Sequence, residues 1–140
     1  MTVLDRLLGT WKFTMHHSAM SEPVTGQQRY ERVLGGAFVL QHWTYDRPDF
    51  PDAMALLSDD RYHYFDVRGI TRVFDLKVDA DGWSMIRLDE GFSQRSTARF
   101  RGADVVDSTG EASYDRGVTW QPDFTMIYQR VDQDNGRAVP

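Results

Sequence analysis

Hydrophobic and polar positions alternate along most of this chain with a period of two. Phe74, Leu76 and Val78 alternate with Val73, Asp75 and Lys77, and Phe92, Gln94, Ser96, Ala98 and Phe100 alternate with Ser93, Arg95, Thr97, Arg99 and Arg101. The second set has one small or apolar face and one basic face, the pattern of a half-buried strand and not of a helix. Turn signals such as Gly35-Gly36, Arg68-Gly69, Asp81-Gly82, Glu90-Gly91 and Arg101-Gly102 recur about every ten residues, as in an all-β sandwich or barrel. The pattern predicts about ten strands, near 10–17, 26–34, 37–46, 53–58, 61–67, 70–79, 83–89, 92–101, 103–112 and 122–131. One helical turn fits Val3–Leu8, ahead of Gly9. Sequential hairpins without a long crossover favour a meander, an all-β antiparallel up-and-down β-barrel that leaves no sheet edge exposed. Trp11, at the head of the first strand, is placed to plug one barrel end beneath the opening turn. A single domain spans 1–131, and the polar stretch 132–140 reads as a flexible tail.

Composition narrows the chemistry. With four Trp, six Tyr and eight Phe in 140 residues, one domain can build its interior from a few large side chains. The absence of cysteine excludes a disulfide framework, a thiolate metal site and a cysteine nucleophile. A net charge of −5 argues against a nucleic-acid partner. The N-terminus carries charges early and no long apolar run, so neither a signal peptide nor a membrane span is predicted and a cytoplasmic location is expected. His16 and His17 are adjacent and face opposite sides of a strand, while His42 and His63 lie on separate strands. No H-x-H or HExxH spacing occurs, and no metal site or cofactor is predicted.

The densest collection of polar and aromatic residues runs from Arg61 to Leu76. Alternation puts Tyr62, Tyr64 and Asp66 on one face, with Arg61, His63 and Phe65 on the other. On the next strand Arg72 shares a face with Ile70, Phe74 and Leu76. A guanidinium on a core-facing position needs a partner. Asp66 at the barrel rim would supply one, and a ligand inside the barrel would supply another. Gln94 falls on an inward position and Arg95 on the basic outer face. Trp43 shares a face with Val39, Gln41 and Tyr45, while Phe38, Leu40 and His42 make the other face of that strand apolar too. Cover on both sides is therefore expected, from the opening helix or from a partner subunit in a homodimer.

Several blocks of residues resemble the small bacterial calycin-like proteins of the DUF1579 type. They are Leu8-Gly9-Thr10-Trp11, the run Arg32 to Val39, Asp49-Phe50-Pro51-Asp52, His63 to Phe74, Gly91 to Arg95, Ser113 to Trp120 and Asp123 to Tyr128. The resemblance implies a lipocalin- or fatty-acid-binding-protein-like barrel and assigns no activity. Nitrobindin-like haem barrels look similar in size, but they carry an iron-ligating histidine near the C-terminus, and the last histidine here is His63. Fatty-acid-binding proteins end in a strand reading Thr-Arg-x-Tyr. The matching stretch here is Thr125-Met126-Ile127-Tyr128, which keeps the tyrosine and lacks the arginine.

The residues admit three readings. The first is binding of a small hydrophobic or aromatic molecule inside the barrel, with Trp43 in the lining and polar anchors among His63, Asp66, Arg72, Gln94 and Tyr128. The second is a cofactor-independent isomerase, cyclase or hydratase acting on a small hydrophobic metabolite. A His63–Asp66 or Arg72–Tyr128 pair would then move protons or stabilise charge. The third is an interaction module whose barrel is filled. No nucleophile elbow, P-loop or dinucleotide fingerprint is present.

Overall fold

Most strands bury side chains on one face by alternation, as in β1 and β2, and ten strands close on themselves. The computed structural model describes residues 3–132 and 137–138. A short helix α1 (Val3–Leu7) precedes β1 (Gly9–His17), β2 (Val24–Val33), β3 (Phe38–Tyr45), β4 (Ala53–Leu57) and β5 (Arg61–Asp66). Then follow β6 (Thr71–Val78), β7 (Gly82–Arg87), β8 (Ser93–Phe100), β9 (Val105–Ser113) and β10 (Gln121–Asp132). Neighbours in sequence pair antiparallel throughout, and β1 pairs with β10, from Trp11↔Arg130 to His17↔Phe124, to close the barrel. The predicted strands, the meander and the single opening helix are all present. Most of the expected tail lies outside the described residues. Within them, β11 (Arg137–Ala138) pairs with Val131 and Asp132.

One end of the barrel is plugged. A five-residue helix is too short to persist alone, and α1 is held by burying Val3, Leu4 and Leu7. Each such side chain contributes about 1.5–3 kcal/mol when fully buried. Trp11 is completely buried, and its Nε1–H donates to the Leu7 carbonyl at 2.8 Å. The Arg130 guanidinium lies 4.3 Å from the Trp11 ring centroid. It also donates to the carbonyls of Leu8 (2.9 Å) and Arg6 (2.6 Å) and to Asp104 (2.9 Å). Phe100 stacks edge-on against both Trp11 and Trp83, with centroids 6.2 Å apart in each pair. This half is filled.

The helix does not cover the outer face of β3, contrary to the expectation from its sequence. It is committed to Trp11 at the closed end. The outward Leu40 and His42 run beside Leu56 and Met54 of β4, on the barrel exterior. No helix among the described residues is long and apolar enough to cross a membrane.

Candidate functional site

The open half of the barrel holds a cavity of about 340 Å³. Its existence follows from which side chains face inward. Trp43, Tyr45, Tyr62 and Phe74 project from β3, β5 and β6 and make an aromatic wall. Opposite them β8 and β9 offer small inward residues, with Ser96 facing Gly110 and Ala98 facing Ser108 across the pair. Large residues on one side and small ones on the other leave space between.

Gly110 has a specific part in this. The Phe124 ring lies so close to its Cα that a Cβ there would overlap the ring. The aromatic side chain therefore rests flat on β9 instead of filling the lumen. Nearby, the β9–β10 register shifts between Pro122 and Phe124, so Asp123 is the extra residue of a bulge. The bulge brings Asp123 to the mouth, where its Oδ1 lies 3.2 Å from His17 Nε2. His17 Nδ1 accepts the Ala19 backbone N–H at 3.1 Å. The neutral ring is thereby fixed with its hydrogen on Nε2, donating to Asp123, and both nitrogens are engaged.

Beneath the cavity runs a belt of buried polar groups. Tyr30 Oη donates to Gln28 Oε1 (2.6 Å), and Gln41 Nε2 donates to Tyr30 Oη (2.8 Å) and Gln28 Oε1 (3.1 Å). Tyr62 Oη donates to Gln41 Oε1 at 2.5 Å. Against the larger effect of burial, Gln28 and Ser108 lower the Tyr128 pKa. Burial pushes the phenols of Tyr30, Tyr62 and Tyr128 up, so all three stay neutral donors. A void of about 40 Å³ sits within this layer, touching Trp43, Tyr62 and Tyr128. Trp43 Nε1–H is buried with no hydrogen-bond acceptor among the described residues. Trp43 itself touches both the void and the cavity. An unmet buried donor is costly and rare in native proteins.

The rim carries the charge. Asp66 is fully shielded from solvent and is held by Arg68, whose Nη2 lies 2.6 Å and Nε 3.2 Å from Oδ2. Tyr64 Oη donates to the same oxygen at 2.9 Å, and the Arg68 backbone N–H donates to Oδ1 at 2.9 Å. Arg68 first, and Tyr64 after it, hold this carboxyl well below the usual range. Burial, with the bond to Asp66, pushes the Tyr64 phenol up to about 12. The loop between β3 and β4 leans over the mouth, with Phe50 packed on Tyr45 at 5.1 Å between centroids.

The residues singled out from the sequence separate into three groups. Trp43, Arg72 and Gln94 line the cavity, and Arg72 Nη1 approaches Gln94 Oε1 at 3.4 Å. Tyr128 lines only the deep void, and Asp66 lies behind Arg68 rather than on the cavity wall. His63 faces outward between Leu56 and Val73, because the strand that points Tyr62 and Tyr64 inward must point His63 out. Neither candidate proton-transfer pair is assembled: His63 and Asp66 are on opposite faces, and Arg72 and Tyr128 line different spaces. Nor does Asp66 close the hairpin on Arg72, since it is taken by Arg68. His17 and Asp123, which also line the cavity, were not predicted. Alternation from Trp11 through Phe13 and Met15 points to His17. The bulge that brings in Asp123 has no sequence signal beyond Pro122. Among the described residues, no group of three or more His, Asp or Glu is placed to hold a metal.

No family model matches the chain, and no curated protein matches it significantly. Solved structures share the fold. The S-type phycobiliprotein lyase CPES from Guillardia theta superposes with a TM-score of 0.63 at 12% identity, over 95% of this chain and 94% of that one. A protein of unknown function from the DUF3598 family of Nostoc punctiforme PCC 73102 gives 0.61 at 12% identity. That match covers 91% of this chain and 49% of the other, so this chain spans about half its length. A redesigned β-barrel gives 0.52 at 13% identity, over 92% and 95% of the two chains. At these identities the likeness is one of architecture, a closed antiparallel β-barrel.

Proposed function

We propose that this protein binds a small, largely apolar or aromatic molecule in the open half of its barrel. The observation that carries the reading is the cavity of about 340 Å³ between an aromatic wall and a wall of small residues. That volume lies in the range of small-molecule sites, which combine an apolar lining with a few fixed polar groups. The belt of Gln28, Tyr30, Gln41 and Tyr62 is already self-satisfied and serves as a rigid floor. One protein that shares this barrel architecture is a phycobiliprotein lyase. The residue blocks shared with the DUF1579 type support kinship with that calycin-like group.

The test is a titration with N-phenylnaphthylamine, a neutral apolar fluorophore. One probe per chain is expected to bind with enhanced emission. Ser96 lines the cavity opposite Gly110, and Ser96→Phe places a ring in the space. That variant is expected to stay folded and to lose binding by about tenfold or more, since the ring removes most of the apolar contact. Wild-type affinity in Ser96→Phe, or no saturable binding to the wild type, would overturn the reading.

A further inference from the structure

The cavity wall holds a cation without an acid. Arg72 is only half-exposed, with one long hydrogen bond to Gln94 at 3.4 Å and the Phe92 ring 5.4 Å away. Among the described residues, no carboxylate lies within ion-pair distance of it. The nearby acids are engaged elsewhere: Asp66 with Arg68 (2.6 Å), Asp89 with Arg87 (3.2 Å) and Glu111 with Arg95 (2.8 Å). Asp123, on the β10 side of the mouth, is held by His17. Burial, and next the positive charge of Arg87, lower the Arg72 pKa from its ordinary value, with Arg68 adding to the repulsion and Tyr64 and Asp66 opposing it. An arginine cannot escape this by losing its proton. A guanidinium kept short of acceptors at a cavity wall is a receptor for an anion.

We infer that the cavity selects an organic carboxylate, with its acid group on Arg72 beside Gln94 and its apolar body along Trp43, Tyr62 and Phe74. The planar fork of the guanidinium matches the two oxygens of a carboxylate. Gln94 accepts from Arg72 through Oε1, which leaves its Nε2 donors for the same ligand group. The inference rests on the cavity being the binding site, and it adds the charge class of what enters.

The experiment is displacement of N-phenylnaphthylamine by naphthoic acid and by its primary amide, which share a shape and differ in charge. The carboxylate is expected to compete about 10- to 100-fold more strongly than the amide, the range of a charge-assisted contact. Arg72→Met is expected to bring the two competitors to within about twofold. Arg72→Lys is expected to retain part of the preference, because an ammonium keeps the charge and loses the fork. Circular dichroism establishes that each variant is folded. Equal competition by acid and amide in the wild type would overturn the inference, as would a preference that survives Arg72→Met. Failure of the fluorophore itself to bind would instead overturn the proposed site.

Discussion

The choice made by Asp66 decides the character of the site. Its carboxylate is two residues from Arg68 within the β5–β6 turn, and it accepts from both the side chain and the backbone of that residue. Local turn geometry thus outcompetes Arg72, which lies on the next strand. The consequence is testable through pH. A carboxyl held below its usual range contributes stability that is complete above the unfolded aspartate pKa, about 3.9. That contribution is lost as pH falls below this value towards the folded one. Because Arg68 is half exposed, the contribution is modest, about 1 kcal/mol. Asp66→Asn is expected to lose that amount in urea unfolding at about pH 7, and the deficit is expected to shrink only as pH falls below about 3.9 towards the folded value. A deficit that stays constant across that acid range would show that the loss comes from packing. Sequence alternation places both Asp66 and Arg72 inward, but it carries no information on which arginine the acid prefers. His63 shows the converse: alternation already sets it on the face opposite Tyr62 and Tyr64, and its histidine chemistry alone made it a candidate.

At the scale of elements, the strands are legible because each buries one face, and a slip of one residue would invert the set. Every predicted strand lies within two residues of its observed ends, and the opening helix is one residue shorter than predicted. What the pattern does not carry is the detail between strands. The flat seat of Phe124 on Gly110 depends on cross-strand contact, and the Asp123 bulge depends on register. Both shape the cavity. Gly110→Ala is expected to push the Phe124 ring off β9 and into the lumen, at a cost of about 1–3 kcal/mol for the overlap. The same variant is expected to weaken N-phenylnaphthylamine binding. Stability loss with unchanged binding would mean that Phe124 moves elsewhere and does not bound the site. β3 teaches a related lesson: an apolar outer face indicates contact, but not with what, and α1 is drawn instead to the closed end by Trp11.

The whole molecule is an asymmetric barrel. One half is stapled by α1, Trp11 and Arg130, and the other half is walled but not filled. Closure through β1 and β10 was readable only as a preference for a meander without edges, since the pairing of the first and last strands leaves no local mark. The division into filled and open halves could not be read from alternation, because inward positions in both halves obey the same period. Residue size on facing strands decides it, and facing is known only once register is known. The binding account depends on this division, and three of the four tryptophans report on it. Trp11 Nε1–H is locked to Leu7 at the plugged end, Trp120 packs outside against Arg95 at 4.3 Å, and Trp43 lines the cavity with its donor open. The most direct measurement is therefore the indole N–H region of a proton–nitrogen correlation spectrum during titration with N-phenylnaphthylamine. The account predicts that the Trp43 cross-peak moves and saturates at one equivalent while those of Trp11 and Trp120 hold still. A shift of Trp120 alone would place the probe outside the barrel, and no shift at Trp43 would contradict an interior site.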